Sequence, residues 1–115
     1  MILLNAFSLN MFDPASCFPV FREMQVDEVK NTSSLVSAIG HADTAQILSK
    51  MLERDIPVNR MSVFLNPGDV AIVAQYIGPR LPEGATQLPE GAMIKFYHLR
   101  MVDVGLIAHI EENSV

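Results

Sequence analysis

One stretch of this chain has almost no freedom in what it can become. Val70 to Ile77 is nearly continuous in apolar side chains, and breakers close both its ends. Before it stands Asn66-Pro67-Gly68-Asp69, after it Gly78-Pro79-Arg80-Leu81-Pro82-Glu83-Gly84. Each proline lacks an N–H for a ladder or a helix, and the glycines invite turns. The segment between is bounded on both sides by turn residues, so it reads as a strand. The second breaker cluster cannot extend a ladder and reads as loop.

The other apolar runs are ordered around that strand. Residues 2–6 read as a first strand, and Met61 to Leu65 as the partner of Val70–Ile77 in a hairpin turned by residues 66–69. Met11 to Pro19 holds two prolines and reads as loop. Val20, Arg22, Met24 and Val26 alternate with Phe21, Glu23 and Gln25, the period of a strand. A short helical turn is expected near Asp27. Ser33 and Ser34 are cap candidates for a helical segment carrying Leu35, Val36, Ala38 and Ile39, ended by positive φ at Gly40. Asp43 is expected to cap the next helix, with Ala45, Leu48, Met51 and Leu52 on its buried face. Lys50 and Arg54 lie near its C-terminus, where the dipole favours cations. A small helix is expected over Thr86 to Pro89 and a last strand over Met93 to Val102. The sum is α/β: a small mixed sheet of about five strands flanked by helices. Residues 1–102 make one domain, and 103–115 form a tail with no assigned role.

Composition narrows the class. A chain of 115 residues, half apolar, can bury a core as one domain. No apolar run reaches the ~18 residues of a membrane helix, and the start lacks a basic signal-peptide region. The lone Cys17 forms no internal disulfide, so the expected setting is a reducing cytoplasm. A net charge of −5 argues against coating duplex nucleic acid, where affinity rests on Lys and Arg. It leaves room for a compact anionic ligand held locally by Arg60 and Arg80. Neither His98 nor His109 stands at ligand spacing, so no zinc site is expected, and no phosphate-cradling or dinucleotide glycine motif occurs.

Three separated motifs carry the chemistry. They are Asn5-Ala6-Phe7-Ser8-Leu9-Asn10-Met11, Ile39-Gly40-His41-Ala42-Asp43-Thr44-Ala45, and Gln75 through Gly84. His41 follows a glycine and borders a helix start, which pairs a proton donor with an anion-attracting helix end. Arg80 lies in a loop stiffened by Pro79 and Pro82, a setting that suits bidentate phosphate binding. Gln75 is an amide on the strand face it shares with Val73 and Ile77, and an amide among apolar neighbours needs partners. Ser8 and Asn10 form a hydroxyl and amide pair that also suits plain turn chemistry.

Together, these motifs resemble the viral type III anti-CRISPR ring nucleases, in the same order and over about residues 2–102. The resemblance implies a two-fold dimer that binds cyclic tetra-adenylate and cuts it without metal or cofactor. It places His41 as the catalytic histidine, assisted by Arg80 and Glu83. Ser8, Arg60 and Gln75, like Arg80 and Glu83, fall at positions of the ligand site, and Asn10 and Gly40 in the same motifs are further binding candidates. Two other readings of the same residues are a sponge that binds the cyclic nucleotide without cutting it and, further off, a DNA-binding regulator.

Overall fold

The computed structural model describes residues 1–106. Strand β1 (Ile2–Leu4) leads through a short 3-10 turn (Leu9–Met11) into β2 (Cys17–Met24) and helix α1 (Val26–Lys30). There follow β3 (Val36–Ser37), helix α2 (Ala42–Leu52), β4 (Val70–Ile77) and β5 (Met93–Asp103). Residues 104–106 are helical, and the expected tail beyond them lies outside the described residues.

The five strands make one mixed sheet in the order β2-β5-β4-β1-β3. Strands β4, β1 and β3 run parallel to one another, while β5 is antiparallel to both β4 and β2. The α/β reading with about five strands therefore holds. β4 is the apolar stretch between breakers, and Ala71 to Ala74 are all buried, as a strand flanked on both edges and covered on both faces requires.

Register sorts the side chains into two layers. Leu3, Met24, Ile72, Ala74 and Phe96 face the helices. They meet Val29 of α1 and Ala45, Leu48 and Leu52 of α2, with Ile39 and Ile56 from the flanking segments. The expected buried face of α2 is present, with Met51 at its margin. On the other face Leu4, Cys17, Ala71, Val73, Leu99 and Met101 are covered by Phe12, Ala38 and Leu65, with Phe7, Met11 and Val63 beside them.

Several expectations fail for reasons of pairing. The run around Leu35–Ile39 is no helix: Val36 and Ser37 pair in parallel with Ile2 and Leu3. Ser37 Oγ donates to Pro57 O at 2.6 Å and accepts from Ile39 N–H, and Asn59 Nδ2 donates to Ser37 O at 2.7 Å. A short apolar run is ambiguous by period, and the free edge of β1 decides it. Gly40 is not among the residues with positive φ.

Met61–Leu65 is no strand either. Both edges of β4 are taken, by β1 and β5, so the segment lies over the sheet, with Leu65 N–H donating to Met11 O at 2.7 Å. The 66–69 turn docks on β5 instead of closing a hairpin: Gly68 N–H donates to Met101 O and Met101 N–H to Asp69 O. The hairpin that forms is β4–β5, across the connection 78–92. That connection contains no helix over Thr86–Pro89.

β2 begins inside the expected loop and includes Pro19. β2 is an edge strand, where a missing donor is tolerated. β1 stops at Leu4, Val26 starts α1 instead of ending β2, and β5 runs one residue past Val102.

Candidate functional site

Because β1, β3 and β4 are parallel neighbours, their carboxyl ends lie along one edge of the sheet. The first motif leaves the end of β1, the second follows β3, and the third leaves β4. Three segments far apart in sequence thus emerge side by side. In α/β sheets this edge is where ligands bind, because loops there are free to carry polar groups on a rigid base.

His41 is the N-cap residue of α2, with extended backbone (φ −121°, ψ 130°), and it is exposed. The expected cap, Asp43, lies instead in the first helical turn. Its carboxylate reaches away from its own helix and accepts the Gly84 N–H at 3.0 Å. That bond brings the third motif to the start of α2, with Glu83 adjacent to the contact.

Arg60 joins from the other side. Its Nη2 donates to Gly40 O at 3.4 Å, a long bond. A Cβ on Gly40 would lie 3.8 Å from the Arg60 stem, an ordinary contact, so no steric demand fixes glycine there. Gly40, His41, Arg60 and the Glu83–Gly84 segment are therefore gathered at one helix end. Arg80 stands exposed in the same loop as Glu83.

Ser8 and Asn10 are bonded to each other, Ser8 Oγ donating to Asn10 Oδ1. Asn10 lines a cavity of about 490 Å³ at the ends of β1 and β3. Asn5, Met11, Met61, Ser62 and Phe64 are among its other walls. Sequence reasoning missed the contribution of residues 61–64, because their reading as a paired strand put them elsewhere.

Gln75 lies on the face expected from parity. It is exposed, its Nε2 donates to Tyr76 O at 3.0 Å, and it borders a second cavity of about 430 Å³ with Phe7, Phe21, Val73 and Tyr97. These aromatics form a chain of contacts: Phe12 on Phe7 at 5.5 Å, Phe7 on Phe21 at 5.6 Å, and Phe21 on Tyr97 at 6.3 Å. Alternation along β2 and β5 held the signal for Phe21 and Tyr97, but it does not say which face stays uncovered.

Cys17 is buried away from this edge. Burial pushes its thiol pKa up, and the carboxylates of Asp13, Asp103 and Asp69 add to that, which disfavours a reactive thiolate. No cluster of three His, Cys, Asp or Glu side chains suited to a metal ion occurs among the described residues. No helix among them is long and apolar enough to cross a membrane.

Residues 1–100 match the STIV B116-like family. The chain is similar to an uncharacterized protein, ORF117, of Acidianus two-tailed virus, at 35% identity over 111 residues, covering 89% of this chain and 93% of the relative. It is also similar to the uncharacterized ORF116 of Acidianus filamentous virus 1, at 32% identity over 114 residues, covering 89% and 96%. Among solved structures it resembles B116 of Sulfolobus turreted icosahedral virus, with a TM-score of 0.70 and 26% identity, covering 86% of this chain and 97% of that one.

Proposed function

This chain belongs to the STIV B116-like family of archaeal virus proteins, and from that premise we propose that it is a metal-independent ring nuclease. Its substrate is cyclic tetra-adenylate, its working form a homodimer, and its effect the silencing of type III CRISPR signalling. The observation that supports this is the meeting of the three motifs at the carboxyl edge of β1, β3 and β4, with His41 exposed at the start of α2.

The chemistry asks little of the protein. RNA carries its own nucleophile, the ribose 2′-hydroxyl. In-line attack forms the 2′-oxygen–phosphorus bond and breaks the bond from phosphorus to the 5′-oxygen. The 2′-hydroxyl loses its proton to solvent, and His41 gives one to the departing 5′-oxygen. No water is consumed. Two cuts turn the ring into two linear di-adenylates, each ending in a 2′,3′-cyclic phosphate.

The remaining roles are part of the same proposal and rest on the resemblance of the motifs. Arg80 holds the scissile phosphate and offsets charge on its oxygens. Glu83 orients the His41 ring. Gly40 and Arg60 bind at the helix end, Ser8 and Asn10 at the end of β1, and Gln75 orients the ribose from the sheet face. A four-fold ring on a two-fold axis meets each subunit's site in turn, so a homodimer places two His41 side chains at opposite phosphates. The partly uncovered aromatic surface of Phe7, Phe21 and Tyr97 is one apolar area available for pairing.

The test is cleavage of radiolabelled cyclic tetra-adenylate with a chelator present. Wild type is expected to cut, and His41→Ala to be slower by about 10²–10⁴-fold, the usual worth of a general acid. No cutting by wild type, or undiminished cutting by His41→Ala, overturns the reading. Intact ligand recovered from a tight wild-type complex replaces it with the sponge.

A further inference from the structure

The third motif reaches the helix end through a bond that the catalytic scheme above does not use. The connection between β4 and β5, residues 78–92, is long for a hairpin, and connections of such length usually carry function. Its base is rigid. Gly78 has φ +147°, and a Cβ there would lie 2.8 Å from Ala92 Cβ and 2.9 Å from Ala92 Cα, so only glycine fits. The Tyr76 hydroxyl donates to Pro79 O.

Farther out, Ala85 N–H donates to Pro82 O and closes a turn around Glu83. Gly84, at φ +80°, sits in that turn and gives its N–H to Asp43. Among the described residues this is the one hydrogen bond between the connection and α2. Arg80 and Glu83 thus lie between two anchors, Pro79 at the base and Gly84 at the tip.

We propose that Asp43 is a positioning residue, whose carboxylate holds the Arg80–Glu83 segment against the His41 end of α2 through the Gly84 N–H. The inference rests on the ring-nuclease reading for its consequence, though not for its geometry. A carboxylate is well suited to the task. It is favoured in the first turn by the helix dipole, and it forms a charge-assisted bond with a backbone donor. Its usual alternative, capping its own helix, is not taken up here, because the cap position belongs to His41.

The experiment compares wild type, Asp43→Ala and Asp43→Asn, the last keeping an acceptor oxygen. Backbone NMR reads the tether without any substrate. In Asp43→Ala the Gly84 amide proton is expected to shift upfield, and order parameters over residues 80–86 to fall from a rigid ~0.85 toward 0.6 or lower. Asp43→Asn should stay close to wild type. With cyclic tetra-adenylate, Asp43→Ala should lose about tenfold in kcat, the worth of one such bond, with a smaller change in KM. Asp43→Asn should recover most of that loss.

Unchanged order and an unchanged Gly84 shift in Asp43→Ala overturn the proposal. So does lost order with unaltered kcat, or an Asp43→Asn variant as impaired as Asp43→Ala. If wild type cuts nothing, the ring-nuclease reading falls, while the NMR arm still decides whether Asp43 holds the loop.

Discussion

The two faces of the sheet are built from the same strands and finished differently. On one face α1 and α2 close over Leu3, Ile72, Ala74 and Phe96, and Leu48 and Leu52 are fully buried. On the other, loop segments cover only the part around Leu4, Val73 and Met101. Beyond them Phe21 remains 48% exposed on an edge strand, next to Tyr97 and Gln75. The helical face buries side chains that nothing else needs to reach. The opposite face leaves aromatic surface and an amide open beside the edge where the three motifs emerge. One face is thus closed by helices and the other only partly covered by loops, on strands common to both.

That contrast can be attacked at its strongest point first. Leu48→Ala removes a fully buried side chain from α2 and is expected to cost ~2–5 kcal/mol in chemical denaturation. A cost as small as that of a surface change would mean the helical layer is not the stabilising one. Phe21→Glu should cost the fold about 1 kcal/mol or less, since the ring is half exposed. Its main effect should appear in light scattering, as loss of the proposed homodimer. A dimer that persists would move the pairing surface off this face.

The smallest effect concerns acid. Glu28 has its carboxyl held below its ordinary value of 4.5, first by the Gln25 N–H and then by the Arg22 side chain. A depressed carboxylate contributes stability that is present above its ordinary pKa and lost as pH falls through the lowered one. The difference in melting temperature between wild type and Glu28→Gln should therefore be small at pH 7, shrink below pH 4.5, and vanish in stronger acid. A difference that grows on acidification would contradict the hydrogen bonds assigned to this side chain.

How much was legible in the sequence varies by segment, for physical reasons. Val70–Ile77 was readable because breakers close both ends and its interior favours strand. The α2 face was readable because Ala45, Leu48 and Leu52 recur at helical spacing. The segment around Val36 was not legible, since apolar runs of that length suit helix or strand until an edge is offered. The composition of segment 61–65 suits a strand, yet β1 and β5 leave it no edge of β4. By sequence Asp43 reads as a cap, a common use of an aspartate at a helix start. Its bond to Gly84 spans 41 residues, beyond any local pattern.

The candidate site divides along the same line. Its residue types and their grouping into three motifs are properties of the chain itself: an imidazole after a glycine, an arginine between prolines, an amide in an apolar strand. Their convergence is not. Parallel pairing of β3 and β4 on either side of β1 places the ends of three distant segments on one edge; the bond from Arg60 to Gly40 O and the bond from Gly84 N–H to Asp43 bring Arg60 and the third segment to the start of α2. Periodicity and propensity act over a few residues and set what each segment can become. Edge pairing and long-range bonds depend on which partners remain free, and only the folded chain decides that.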